Sequence, residues 1–137
     1  LYHQGEKQAF RTQTGWLPSF VRYKKVVILI NENTQSSAEA MAAALKKYNV
    51  GVLLGTPTKG WGTVERVFPL TQQPSQNNKY SIFLVHSLIL ADDGQPIEGR
   101  GVTPMIDIRA ADWKKQLQAY FNYPELVSKL DQLVQLD

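Results

Sequence analysis

Two short runs of apolar, largely β-branched residues flank an alanine-rich segment, and this arrangement constrains the fold more than any other feature of the chain. The runs are KKVVILIN at residues 24–31 and VGVLLG at residues 50–55. Continuous runs of this kind are typical of strands buried on both faces. Between them, five apolar residues recur at helical spacing, which predicts a helix. These residues are Ala40, Met41, Ala44, Leu45 and Tyr48. The segment therefore predicts a βαβ unit with two parallel strands.

The remainder of the chain adds strands and two more helices. TVERVFPL, KYSIFLVHSLILA and VTPMIDI are strand-like runs, and residues 8–12 near the start show a weaker alternation. The last segment predicts two amphipathic helices interrupted before Pro124, with an apolar stripe that packs on the sheet. We expect one α/β domain over residues 1–137, with a mixed sheet, the first helix on one face and the terminal helices capping it.

Composition excludes several classes of function. The chain has 15 Lys and Arg against 12 Asp and Glu, a net charge of +3 that is scattered rather than gathered in a basic stripe. This pattern gives no support for nucleic-acid binding. Cysteine is absent, so disulfides and thiolate chemistry are excluded. Asp92, Asp93 and Glu98 flank a glycine turn, but their spacing does not match a calcium-binding loop, and we expect no metal and no cofactor. Because the chain begins at Leu1, we expect a piece of a longer protein.

Two adjacent serines lie where the first predicted strand gives way to the helix, in NENTQSSAEA. Ser36 and Glu39 have the spacing of a capping box, in which each residue binds the backbone of the other. The same position lies at the carboxyl edge of the sheet, where open α/β folds place their ligands. Backbone N–H groups at the helix start would also stabilise an oxyanion. Ser36 is therefore either a helix cap or a nucleophile on the residue pattern alone.

Three segments resemble the carboxyl-terminal processing, or tail-specific, serine peptidases over about residues 5–108. They are VVILINENTQSSAEAMAAAL, GTPTKGWGTVERVFPL and DGQPIEGRGVTPMIDI. The resemblance implies a crotonase- and ClpP-like mixed sheet with packed helices, and the later half of a catalytic domain. It also implies a serine-type peptidase that acts on protein or peptide substrates without a metal or cofactor. A periplasmic or otherwise exported location is implied as well.

Carried over residue by residue, the family nucleophile falls on Ser36. The family's general base is a lysine, and its position is occupied by Trp61. Lys59 lies two positions earlier, on the same face of an extended loop, and is the candidate base within the chain. The glutamine that orients the lysine falls on Glu65, a carboxylate that favours a charged amine.

More distant, tricorn-like relatives use a histidine from an earlier segment, and Glu65 is then a candidate to orient that imidazolium. His86 lies within the apolar run FLVHSLI, which is typical of a structural histidine. Two hypotheses follow. The chain is a peptidase domain in which Ser36 attacks the peptide carbonyl, with Lys59 or a histidine as base and Glu65 as a supporting acid. Alternatively, it is a catalytically degenerate relative that serves as a peptide- or partner-binding scaffold.

Overall fold

The computed structural model describes residues 2–7 and 25–135, which form seven strands and three helices. In chain order, the elements are β1 (Tyr2–His3), β2 (Glu6–Lys7), β3 (Val27–Ile30), α1 (Ser37–Lys47), β4 (Val52–Gly55), β5 (Thr63–Pro69), β6 (Ser81–Leu88), β7 (Ile106–Asp107), α2 (Trp113–Phe121) and α3 (Pro124–Val134). The predicted strand at residues 8–12 lies outside the described residues.

The predicted βαβ unit is confirmed. β3 and β4 pair in parallel, with Val27 opposite Val52, and β7 adds a third parallel strand on the other side of β4. β4 is therefore central, and all four of its residues are buried. β3 differs from the prediction because Leu29 is 46% exposed, so this outer strand is not covered on both faces.

Side chains of β4 alternate between two hydrophobic clusters, as the pleat of a strand requires. Leu53 packs with Ala42 and Ala43 of α1. Val52 and Leu54 belong to a second cluster on the opposite face, which contains the buried residues Trp113, Leu117 and Leu130 of α2 and α3. The parallel sheet is therefore the middle of three layers, with α1 on one face and the terminal helices on the other.

The terminal helices separate where the sequence predicts. Asn122 adopts a left-handed conformation after α2, with φ 44°, and Pro124 occupies the first turn of α3. Proline fits that position because a helix leaves its first N–H groups unpaired. The predicted apolar stripe packs on the sheet through Trp113 and Leu117, whereas Tyr120 is exposed.

The remaining strands form a second, antiparallel sheet in the order β2-β1-β6-β5. β5 and β6 make a long ribbon with a register shift between Val64 and Glu65. The α/β class with packed helices is confirmed, and the strands divide between two sheets. The strands divide between two sheets because the loop after β4 leaves the parallel sheet. Backbone N–H groups of that loop, at Gly60 and Trp61, donate to Glu39 near the start of α1.

Candidate active site

Ser36 lies at a sharp turn between β3 and α1. The segment that leads to it is closed by hydrogen bonds between Asn31 and Thr34, in which the Thr34 N–H donates to the Asn31 carbonyl at 2.9 Å. Ser36 itself has φ 55° and ψ −124°. Residues with a Cβ rarely adopt such a positive φ, and strained residues of this kind cluster at active sites. The nucleophilic serine of α/β-hydrolases also lies on a strained strand-to-helix turn.

The start of α1 supplies both a cap and a free backbone donor. Half of the predicted capping box is present: the Ser36 N–H donates to Oε2 of Glu39 at 3.0 Å, whereas the Glu39 N–H donates to the Ser36 carbonyl at 2.9 Å. The N–H groups of Ala38 and Glu39 donate to backbone carbonyls of the turn. Among the described residues, the Ser37 N–H makes no hydrogen bond, and it adjoins the Ser36 side chain. This N–H can stabilise an oxyanion formed by attack at a carbonyl.

Glu39 also binds the loop that follows β4. Its side chain is fully buried. Oε1 accepts hydrogen bonds from the Thr58 hydroxyl at 2.5 Å and from the Gly60 N–H at 2.7 Å. Oε2 accepts from the Trp61 N–H at 2.8 Å as well as from Ser36. One buried carboxylate thus fixes the loop against the Ser36 turn.

The sequence prediction gave Glu39 only the role of a helix cap. The residues it binds in the loop lie 19 to 22 positions further along the chain, beyond the range of any helix-cap pattern. One feature of the sequence could have indicated these bonds. Glu39 is an acidic residue on the inward face of an alanine-rich helix, and a buried carboxylate needs hydrogen-bond partners.

A second glycine-rich loop packs on the first. The Gly99 N–H donates to the Gly60 carbonyl at 2.8 Å, and the Gly62 N–H donates to Oε2 of Glu98 at 2.7 Å. Gly60 has φ 84°, and a Cβ there would lie 2.9 Å from the backbone nitrogen of Arg100. Only glycine allows this approach. The segments at residues 58–62 and 97–102 are therefore held as one unit beside α1.

Lys59 lies next to the nucleophile candidate without contacting it. Its backbone N–H donates to the Thr34 carbonyl at 3.0 Å, and Nζ donates to Oε1 of Gln35 at 2.9 Å. The side chain is exposed and lies over the Trp61 ring, with Nζ 5.7 Å from the ring centroid. Among the described residues, no lysine or histidine side chain hydrogen-bonds to the Ser36 hydroxyl. The role of Lys59 as a base stays a prediction.

Glu65 belongs to a row of side chains along one face of β5. Trp61 Nε1 donates to the Thr63 hydroxyl at 3.0 Å, and that hydroxyl donates to Oε1 of Glu65 at 2.5 Å. This bond from Thr63 lowers the pKa of Glu65 below its ordinary value. Glu65 is therefore a carboxylate at neutral pH. It is connected to Trp61 rather than to Lys59, and its role as a catalytic acid stays a prediction.

His86 has the surroundings of a structural residue. Its ring stacks on that of His3 with centroids 3.8 Å apart, and Nδ1 lies 2.8 Å from the buried Ser87 hydroxyl. Desolvation, followed by the charges of His3 and Arg66, lowers the pKa of His86. These contacts bridge β1 and β6.

Residues 2–7 and 25–135 hold neither a cluster of metal-binding side chains nor a membrane-spanning helix. They contain no group of three or more His, Cys, Asp or Glu side chains arranged to hold a metal ion. No helix in these ranges has the length and apolar character needed to cross a membrane.

Comparison with known proteins places the chain in a family. The sequence model described as peptidase family S41 matches residues 2–108. The carboxy-terminal-processing protease of Bartonella bacilliformis is 30% identical over 83 residues, which are 61% of this chain and 18% of that protein. The carboxy-terminal processing protease CtpA of Bacillus subtilis is 32% identical over 92 residues, which are 67% of this chain and 18% of that protein. The chain thus spans about a fifth of the length of these relatives.

Solved structures agree with the sequence comparison. The photosystem II D1 C-terminal processing protease superimposes with a TM-score of 0.54 and 26% identity, over 63% of this chain and 21% of that chain. Mature CPAF superimposes with a TM-score of 0.51 and 29% identity, over 83% of this chain and 21% of that chain. The family match takes in both the Ser36 turn and the loop bound by Glu39. The chain therefore belongs to peptidase family S41.

Proposed function

We propose that this chain is the nucleophile-bearing part of a serine-type peptidase that hydrolyses peptide bonds of protein substrates. The observation that carries the proposal is the strained conformation of Ser36, with φ 55° and ψ −124°, at the turn from a parallel strand into a helix. A helix cap does not need this conformation, because capping residues ordinarily have extended backbones. A nucleophile explains the strained backbone, because this conformation can present the Ser36 hydroxyl to a substrate.

The proposed reaction begins when Oγ of Ser36 attacks the carbonyl carbon of the scissile peptide while a base takes the hydroxyl proton. The carbonyl oxygen becomes an oxyanion, which the Ser37 N–H stabilises. Collapse of this tetrahedral intermediate breaks the C–N bond, and the base returns the proton to the leaving amine. Water then hydrolyses the acyl-enzyme and regenerates the serine.

Either Lys59 or a histidine could act as the general base, and the surroundings of Lys59 help to distinguish the two. Lys59 donates to the side chain of Gln35, the neighbour of Ser36, so its amine lies beside the Ser36 turn. Its exposure, however, gives none of the burial that favours a neutral amine. The other candidate base is a histidine supplied by an earlier segment of the full-length protein, as in the tricorn-like relatives. Glu65, held as a carboxylate by Thr63, is then the residue to orient the imidazolium.

The relatives named for carboxyl-terminal processing suggest the substrates and the compartment. We infer that the full protein cleaves proteins near their carboxyl ends, as the names of those relatives state for them. We propose an exported or periplasmic location from the resemblance to the processing peptidases, since the absence of cysteine suits a reducing and an oxidising compartment equally.

Labelling of the full-length protein with a fluorophosphonate probe tests the proposal, because the probe reacts with an activated hydroxyl and needs no known substrate. We expect the wild type to be labelled and Ser36→Ala to be unlabelled at equal thermal stability. Loss of labelling in Lys59→Ala identifies the lysine as the base, and retention assigns the base to a residue elsewhere. Absence of labelling in folded wild-type protein contradicts the peptidase and leaves the scaffold hypothesis.

A further inference from the structure

β5 is an edge strand whose outer side is open. It lies last in the sheet order β2-β1-β6-β5, and within residues 2–7 and 25–135 no strand pairs with its outer side. Soluble proteins ordinarily protect such edges with charges, bulges or covering segments, because unpaired backbone groups bind other strands. Pro69 has no N–H and closes the far end of this edge, but the strand is unprotected by proline from Thr63 to Val67.

The hydrogen bonds at the two ends of the ribbon show which backbone groups of β5 face outward. The Leu70 N–H donates to the Tyr80 carbonyl at 3.2 Å, and the Ile89 N–H donates to the Gly62 carbonyl at 2.8 Å. In an antiparallel pair, residues alternate between those bonded to the partner and those whose backbone groups point away. With the observed register, the outward N–H groups belong to Thr63, Glu65 and Val67.

Apolar side chains line both faces of the ribbon beside this edge. Val67, Phe83 and Val85 share one face through the cross-strand register, and all three are more than half exposed. Ile82 and Leu84 are also exposed on the other face. A contiguous exposed apolar surface of this kind marks an interaction site.

The edge continues directly from the candidate active site. The N–H groups of Ser36 and Trp61 share one oxygen of Glu39, so their nitrogens lie within about 6 Å of each other. β5 begins at Thr63, two residues after Trp61, and leads away from Ser36. A chain bound along β5 as far as Val67 would span about 20 Å, which is about six extended residues.

We propose that the polypeptide substrate binds as an extended strand on the outer edge of β5, paired with the backbone of Thr63, Glu65 and Val67. Main-chain pairing supplies affinity without sequence specificity, and alternate substrate side chains contact the apolar faces of the ribbon. This inference rests on the proposed function for its choice of ligand, but it concerns binding and is tested without turnover.

The test measures binding of fluorescein-labelled β-casein, an unfolded protein, to the full-length Ser36→Ala variant by fluorescence anisotropy. Adding Val67→Pro removes one outward N–H and places a ring at the edge, while the bonds from β5 to β6 are kept. We expect Val67→Pro to weaken binding at least tenfold. Val67→Thr, which keeps the N–H and the β-branched shape, is the matched control and is expected to change binding less than threefold.

Hydrogen exchange supplies a second measurement that does not depend on the proline variant. β-Casein should slow amide exchange in residues 63–69 of the Ser36→Ala protein at least tenfold. Binding that is unaffected by Val67→Pro, absent protection of residues 63–69, or absence of saturable casein binding would each overturn the proposal. Protection that depends on the concentration of the protein itself, and not on casein, would assign the edge to a second copy and overturn it as well.

The two proposals fail separately. If fluorophosphonate leaves the wild type unlabelled while casein still protects residues 63–69, the edge binds peptides and the peptidase proposal is wrong. If labelling depends on Ser36 while the edge remains unprotected, the peptidase stands and its substrates bind elsewhere.

Discussion

Ser36 is held in a backbone conformation that costs free energy for any residue with a Cβ. At φ 55°, Ser36→Gly removes both the hydroxyl and the steric cost, whereas Ser36→Ala removes only the hydroxyl. We therefore predict that Ser36→Gly unfolds with a free energy about 1 kcal/mol higher than Ser36→Ala, and that neither variant is labelled by fluorophosphonate. Urea denaturation of both proteins measures the difference.

A helix-cap effect alone also favours glycine over alanine, so the comparison needs a control. Asp112 precedes α2 with φ −106°, an ordinary backbone conformation. The difference in the free energy of unfolding between Asp112→Gly and Asp112→Ala reports capping without strain. An equal difference at both sites would show that Ser36 stores no strain.

Glu39 gathers four hydrogen-bond donors, and glutamine cannot replace it. Glu39→Gln keeps one oxygen and sets an NH₂ group against two of the four donors, which are left unpaired in a buried site. We expect a loss of about 3 kcal/mol in the free energy of unfolding, together with slower labelling of Ser36. Glu125→Gln, an exposed change in the first turn of α3, is the control and should shift stability by less than about 0.5 kcal/mol. Equal stability of the two variants would contradict the buried cluster.

At the residue scale, the sequence predicted the position of Ser36 between a strand and a helix, but it did not predict the hydrogen bonds around that position. Ser36 lies between a strand signal and a helix signal, and both are local. The bonds from Glu39 to Thr58 and Trp61 join positions far apart in sequence, and periodicity carries no information about them. The direction of the Lys59 side chain toward Gln35 is likewise a property of two loops that meet in the fold.

The loop between β6 and β7 is fastened by an exposed ion pair. Both terminal nitrogens of Arg100 donate to the Asp93 carboxylate, which also accepts from the Gln95 N–H. The bond from Arg100 is the main cause that lowers the pKa of Asp93 from 3.8 to about 2. Because the pKa of Asp93 is lower in the folded protein than its ordinary value, the ion pair stabilises the fold at pH values above about 4. That contribution is lost as the pH falls from about 4 toward 2.

We predict that Arg100→Gln raises the pKa of Asp93 toward 3.8, because the charge-assisted bonds to its carboxylate are removed. The carboxyl ¹³C chemical shift of Asp93, followed through an acid titration, measures this change. Arg109→Gln is the matched control, since Arg109 binds Asp107 in a separate ion pair. An Asp93 midpoint that stays near its wild-type value in Arg100→Gln would contradict the pairing.

Among the elements, the βαβ unit was predictable because its strands and helix each carry a complete local signal. The ribbon of β5 and β6 was predicted as strand but not as an exposed one. Its apolar run has the composition of a buried strand, yet Phe83 is 67% exposed. Composition does not show what covers a strand. The pairing of β1 with β6 also escaped prediction, because a two-residue strand has no period to detect.

For the whole molecule, the parallel sheet separates two hydrophobic clusters that support different parts of the structure. The cluster that contains Leu53 packs against α1, whose start holds Ser36 and Glu39. The cluster that contains Leu117 packs α2 and α3 on the opposite face. Damage to the first core is therefore expected to reach the candidate active site, whereas damage to the second should lower stability alone.

Leu53→Ala and Leu117→Ala test this division, since both side chains are fully buried and each truncation is expected to cost about 2 to 5 kcal/mol. We predict that Leu53→Ala slows fluorophosphonate labelling of Ser36 at least threefold, because the cavity lets α1 shift relative to the loop bound by Glu39. Leu117→Ala should be labelled at the wild-type rate when both variants remain folded, as circular dichroism at the labelling temperature would verify. Equal rates in the two variants would mean that the Glu39 hydrogen bonds position Ser36 without help from the core beneath α1.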